Sequence, residues 1–250
     1  MLAKICINNK EYTCNLNEGI DISIPISHGE DNLAAWYIPK PNISPVKTEN
    51  WTGSVKAGNS VNFNNIQFNP HAHGTHTECI GHITKEFYNV SEELKNHFFI
   101  CEIVSIQPSK KEEDWVITKK DILQLKLKTK AQQAIAIRTL PNNNSKKNKN
   151  YNHSSWTYIN QEAMEHIVDL GIEHLLIDTP SVDKEKDNGQ LLAHKAFWNY
   201  PKLNRKHCSI TEFIYIDDAI EDGTYLLNLQ VAPFNNDASP SRPVLYRLKN

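Results

Sequence analysis

The strongest constraint on the fold lies between residues 134 and 178. Residues 134–137 (Ala-Ile-Ala-Ile) form a short apolar run that reads as a buried strand ending at Arg138-Thr139. Asn160 then stands where a helix N-cap is expected, with Ala163, Ile167 and Leu170 on one face and Gly171 at the C-terminal stop. Residues 175–177 (Leu-Leu-Ile) form a second buried strand, which delivers Asp178 to its end. Strand, helix and strand in this order predict a right-handed βαβ unit, and hence a sheet with parallel strands at its centre. The fold class is therefore α/β, a mixed sheet with flanking helices, and residues 1–250 read as a single domain.

The remaining segments add strands to that core. Residues 4–7 and 11–14 predict a hairpin around Asn8-Asn9, and residues 20–26 alternate apolar with polar until Pro25. Residues 39–50, with three prolines, read as an extended loop, and 61–68 as a strand leading toward a run of histidines. Residues 98–106 form another buried strand. Thr118 and Asp121 suit a capping box opening a helix to about Lys126. Residues 141–151, rich in Asn and Lys, read as a solvated loop, while 225–231 and 244–248 supply late strands, the last closing the sheet.

Lys and Arg number 27 against 29 Asp and Glu, a formal charge of −2, which argues against nucleic acid or an anionic membrane as partner. No apolar run approaches the ~20 residues of a membrane span, and the N-terminus lacks a signal-peptide pattern, so a cytoplasmic protein is expected. The five cysteines are scattered without a C-x-x-C pair, which disfavours a disulfide scaffold or zinc ribbon.

Histidine is distributed differently: four of eleven fall in the twelve residues His71-Ala-His73-Gly-Thr-His76-Thr-Glu78-Cys-Ile-Gly-His82. On a strand His76 and Glu78 share a face, and on a helix Glu78 and His82 do. A strand turning helical near Thr77 would bring all three together. Imidazole and carboxylate donors suit zinc, manganese or iron. Gly74 allows close backbone approach or a positive φ. Cys79 points away from Glu78 on either periodicity and reads as a buried structural thiol. No G-x-G-x-x-G, P-loop or G-x-S-x-G occurs, which leaves nucleotide binding and serine hydrolysis without support.

The same residues resemble the H-x-G-T-H-x-D-x-P-x-H signature of the cyclase family, which includes bacterial kynurenine formamidases and isatin hydrolases. Further blocks fit in order. Asp21-Ile-Ser with Pro25 resembles an early D-L-S-x-P segment, and Ile137-Arg-Thr an R-T-G strand end. Ile177-Asp-Thr-Pro-Ser-Val-Asp183, followed by His194 and Glu212, resembles the family's tail, and Ser239-Pro-Ser-Arg242 a common ending. The resemblance implies a swivelling β/β/α fold, a homodimer or higher homo-oligomer, and one or two divalent ions, zinc first and manganese second. It implies His76, Glu78, His194 and Glu212 as metal ligands, His82 as proton donor and acceptor, and Trp36 as a residue lining the substrate pocket, although a packing role suits Trp36 equally.

Some positions depart from the pattern. Ala72 falls where the family has its first metal-binding His, flanked by His71 and His73, whose side chains would diverge on an extended strand unless a bulge re-aims one. Glu78 replaces Asp, Ile80 replaces Pro and Leu140 replaces Gly. His207 rivals His194, which is favoured because Leu-Leu-Ala-His follows the Ser-Val-Asp block. Asp178 and Asp183 stand at a strand end, where they could serve a ligand or a turn, and Arg242 is expected to pair with a carboxylate. The expected activity is metal-dependent hydrolysis of a small amide, resembling that of an arylformamidase on N-formylkynurenine, with an ion-activated water and a His82 proton shuttle. A hydrolase or lyase on another small cyclic amide or carbonyl compound is the alternative of the same class, and a metal- or ligand-binding protein without turnover is that of another.

Overall fold

The structure, a computed structural model, describes residues 1–127 and 130–249. Its centre is a nine-stranded mixed sheet in the spatial order Ala238–Pro240, His76–Glu78, Ser209–Glu212, His174–Ile177, Ala134–Thr139, Phe98–Ile106, Gly223–Asn228, Val244–Arg247 and Ile20–Asp21. The four strands from Ser209–Glu212 to Phe98–Ile106 run parallel, and the strands on both flanks are antiparallel.

Each parallel step carries a helix between its strands: Lys119–Leu123, Gln161–Asp169 and Leu192–Trp198. Crossovers of this kind bury both faces of a parallel sheet, so its strands need near-continuous apolar sequence. Ile135, Ile137, Leu175, Ile177 and Ile210 pack with Ala163, Met164, Ile167, Phe197 and Trp198. Ala134, Ala136 and Leu176 join Cys101, Ile103, Leu227 and Leu245 in a second cluster.

Local signals act as expected at several ends. Asn160 Oδ1 accepts from the Ala163 N–H at 3.0 Å, and Gly171 follows the helix with φ of +80°. The Asp121 carboxylate accepts from both the N–H and the hydroxyl of Thr118 at 2.7 Å, although the helix ends at Leu123 rather than near Lys126. Asn8 and Asn9 both have positive φ, the conformation a two-residue hairpin turn requires, between Leu2–Ile7 and Lys10–Asn15.

Other expectations are corrected. Residues 39–50 are not all loop: Asn42–Pro45 pairs antiparallel with Asn64–Gln67 in a separate ribbon. The alternation at 20–26 yields only Ile20–Asp21 and an isolated bridge from Ser23 to Ile214, because Pro25 cannot extend the ladder. That short strand, not Val244–Arg247, forms the sheet edge. The 141–151 segment is only partly solvated. Lys146 Nζ reaches the buried Asp178 carboxylate at 2.7 Å and the Thr139 carbonyl at 2.6 Å, and Tyr151 is buried. Arg242 pairs with Asp21 at 2.7 Å. No helix among the described residues is long and apolar enough to cross a membrane.

Candidate metal centre

The histidine cluster is built from three pieces of local structure. Asn69 caps a single helical turn, Pro70–His73, its Oδ1 accepting from the His71 N–H at 2.9 Å, with proline favoured at the first helical position. Gly74 is extended rather than left-handed, and its requirement is space: a Cβ there would meet Ile26 Cγ1 at 2.7 Å. His76–Glu78 is a strand, and Cys79 leads into a 3-10 turn, Ile80–Ile83, that carries His82. The strand therefore turns two residues later than Thr77, with the expected result that His76, Glu78 and His82 converge.

Sheet register supplies the next donor. His76 lies directly across from Glu212 on the antiparallel neighbour, with His76 Nε2 and Glu212 Oε2 3.4 Å apart. Glu212 Oε1 accepts from the Val182 N–H at 2.9 Å, which fixes the carboxylate. The His76 Nδ1–H donates to the Gly74 carbonyl at 3.1 Å, which turns Nε2 toward Glu212.

His194 arrives on the first turn of Leu192–Trp198. Asp183 accepts the orphan backbone N–H groups of Ala193 and His194 at 2.8 and 3.2 Å and also the His194 Nδ1–H. That leaves Nε2 aimed at Glu78 Oε1, 3.0 Å away. Asp183 thus serves as helix cap and imidazole orienter together. Asp178 is held by Lys146 and Thr139. His207 is on the surface beside Glu173, at 3.6 Å, and does not reach the cluster.

Glu78 is the hub, with a side chain 0 % exposed. Its Oε2 lies 3.2 Å from His71 Nδ1 and 3.9 Å from His82 Nε2. Burial opposes ionisation of Glu78, but the neighbouring histidines, His82 and His194 foremost, outweigh it and hold the carboxyl well below its usual range. Burial likewise opposes protonation of His71, yet Asp237 and Glu78 beside it raise its pKa to about 10. His194 is raised too, by Asp183 and Glu78 acting against burial.

Ala72 is fully buried and contributes no donor. Its neighbours diverge because residues two apart on a helical turn point to opposite sides, and no strand bulge is involved. His71 enters the cluster. His73 faces away, its Nδ1 accepting from the Asn69 N–H at 2.9 Å. Trp36 sits behind His71: its indole N–H donates to the His71 carbonyl at 3.0 Å, and its ring meets Trp156 edge-on at 5.0 Å. Cys79 is buried, and burial first of all pushes its thiol up to about 12, which suits a structural residue and not a thiolate. Asp237 carries no sequence signal of its own; it lies two residues before the Ser239-Pro-Ser-Arg242 block.

The donor set fits a divalent ion. His76 Nε2 is buried without a hydrogen-bond partner, an arrangement that ordinarily costs about 1–3 kcal/mol. Donor atoms of His71, His76 and Glu78 lie within 4.8 Å of one another, as do those of Glu78, His82 and His194. Imidazole nitrogens with carboxylate oxygens are the ligands of zinc and related ions.

Residues 20–184 match the model of the Cyclase family, described as "Putative cyclase". The chain belongs to the Cyclase family. No curated protein sequence matches it. Among solved structures, a protein described as a predicted metal-dependent hydrolase from Bacillus stearothermophilus superposes with a TM-score of 0.62 at 17% identity, covering 92% of this chain and 98% of that one. A potential metal-dependent hydrolase with cyclase activity gives 0.64 at 16% identity, with 92% and 98% covered. An isatin hydrolase bound to the product analogue thioisatinate gives 0.63 at 15% identity, with 93% of each chain covered. At these identities the likeness establishes the shared fold. His194, Glu212 and Asp237 lie beyond the matched segment, so this chain's own tertiary structure places them at the cluster.

Proposed function

We propose that this Cyclase-family chain is a divalent-metal-dependent hydrolase of small amides. His71, His76, Glu78, His194 and Glu212 would hold the ion, zinc first and manganese second, and His82 would move the proton. The observation that carries this reading is Glu78: a fully buried carboxylate whose oxygens lie 3.2 Å from His71, 3.0 Å from His194 and 3.9 Å from His82. A divalent ion supplies Lewis-acid polarisation of a carbonyl and acidifies water to a pKa of about 7.

The chain's own contribution centres on His82, whose side chain is 32 % exposed at the edge of the cluster. Its Nδ1–H donates to Asp237 at 3.2 Å, which leaves Nε2 as the acceptor facing Glu78. From there it takes a proton from the attacking water and returns it to the leaving nitrogen as the amide C–N bond breaks. Glu78 itself is fully buried, and His82 is the most exposed imidazole of the cluster, the one a carbonyl could meet from solvent.

For the substrate we take an arylformamide, the small amide implied by the sequence resemblance. A cyclic amide is the second reading, favoured by the structural likeness to isatin hydrolase. We further propose a homodimer, to be checked by light scattering. The deciding test combines metal content per protomer with hydrolysis of an N-formylated aromatic amine and of isatin at fixed Zn²⁺. We expect about one ion per protomer, turnover of one substrate, and a loss of about 10²–10⁴ in kcat for His82→Ala. Full activity in that variant removes the shuttle role, and a fully loaded wild type that hydrolyses neither compound removes both the arylformamide and the isatin readings.

A further inference from the structure

We propose that Asp237 is the positioning residue that makes His71, one place away from the family's usual first ligand, a working metal donor, and that the same carboxylate oxygen sets the orientation of His82. The inference rests on the metal-hydrolase reading above and adds to it a residue and a division of labour.

One atom does both tasks. Asp237 Oδ2 lies 3.0 Å from His71 Nε2 and 3.2 Å from His82 Nδ1. The two rings stack with centroids 4.4 Å apart and 29° between planes. An imidazole that donates one N–H to a carboxylate is fixed in tautomer and ring angle, and its other nitrogen becomes the better ligand or base. Here the freed atoms are His71 Nδ1 and His82 Nε2, and both approach Glu78 Oε2, at 3.2 and 3.9 Å. Opposite them, Asp183 fixes His194 by the same device.

The shifted donor needs such a clamp. His71 sits on a single helical turn, with a side chain 19 % exposed, and nothing but Asp237 and Glu78 engages its ring polar atoms among the described residues. Asp237 is itself set by the sheet. The Cys79 N–H donates to its carbonyl at 3.0 Å, and the strand that begins at Ala238 pairs that residue with Glu78. Register therefore holds the clamp opposite the hub.

The test is Zn²⁺ affinity, measured by competition with a chromogenic chelator on folded protein, supplemented by the visible spectrum of the Co²⁺-loaded form. Asp237→Asn should weaken Zn²⁺ binding about 10–100-fold, the usual effect of losing a partner that orients a ligand. His71→Ala should weaken it at least as much and change the Co²⁺ spectrum, while His73→Ala should match wild type in both. Asp237→Asn should also lower kcat through His82, with KM little changed. A purely structural Asp237 would shift the unfolding midpoint and leave Zn²⁺ affinity alone. Wild-type affinity in Asp237→Asn, with the wild type binding normally, overturns the clamp only. A wild type that takes up neither ion overturns the metal reading beneath it.

Discussion

Two buried histidines on this chain show how the same side chain is put to opposite uses. His194 is raised by the carboxylates around it, whereas among the described residues His174 has no carboxylate beside its ring: it packs on Phe99 at 3.9 Å and meets Ser209 Oγ at 2.9 Å. Burial, with the charges of His207 and Arg205, pushes His174 down to about 3. It is therefore neutral in the folded protein, while the unfolded chain titrates near ~6.5. Between those values the unfolded state binds more protons, so stability that is complete above pH 6.5 is lost as pH falls toward 3, at about 1.4 kcal/mol per unit. Urea unfolding at pH 7 and pH 4.5 should show wild type losing about 2–3 kcal/mol more than His174→Gln. Equal losses would refute the assignment. At this scale His76, Glu78 and His82 stand out in the sequence by residue type and spacing, and His194 and Glu212 through the block order of the family resemblance. The sequence did not show Asp237, an ordinary aspartate in an Asn-rich loop whose meaning comes from the strand it precedes.

Elements were legible where a signal is local. The Asn160 cap, Gly171 stop and Asn8-Asn9 turn act through backbone geometry a few residues wide, and all are present. Asn160→Ala should cost about 1 kcal/mol by thermal or urea unfolding, with Asn160→Ser close to wild type. A loss equal in both variants would point to packing rather than capping. Elements were misread where the partner is distant. Asn42–Pro45 is a strand because Asn64–Gln67 supplies its ladder, and nothing within the proline-rich segment announces that. The turn at 70–73 likewise depends on Asn69 and Pro70 acting together, and it decides that His71 and not His73 enters the cluster.

On the scale of the molecule, the cluster ties strand ends, a helix start and a loop from across the chain into one site, so ion binding and global stability should be linked. An ion at about 100 times its Kd should add about 2.7 kcal/mol, seen as a higher melting temperature that a chelator reverses. Uptake must also displace protons, because in the metal-free protein His71 is held near 10 and His194 above its usual value. Affinity should therefore rise with pH, about tenfold per unit for each proton displaced. Calorimetry at pH 7 in two buffers of different ionisation enthalpy checks this, and buffer-independent heats would contradict it. The sequence by itself determined the α/β class, the parallel centre and the chemistry of the donors, because hydrophobic period, caps and residue types are properties of short segments. Tertiary structure alone decided that Glu212 faces His76 and that Asp237 clamps two imidazoles. Those facts depend on strand register and helix placement, which are set by the packing of the whole core and have no counterpart in any local stretch of sequence.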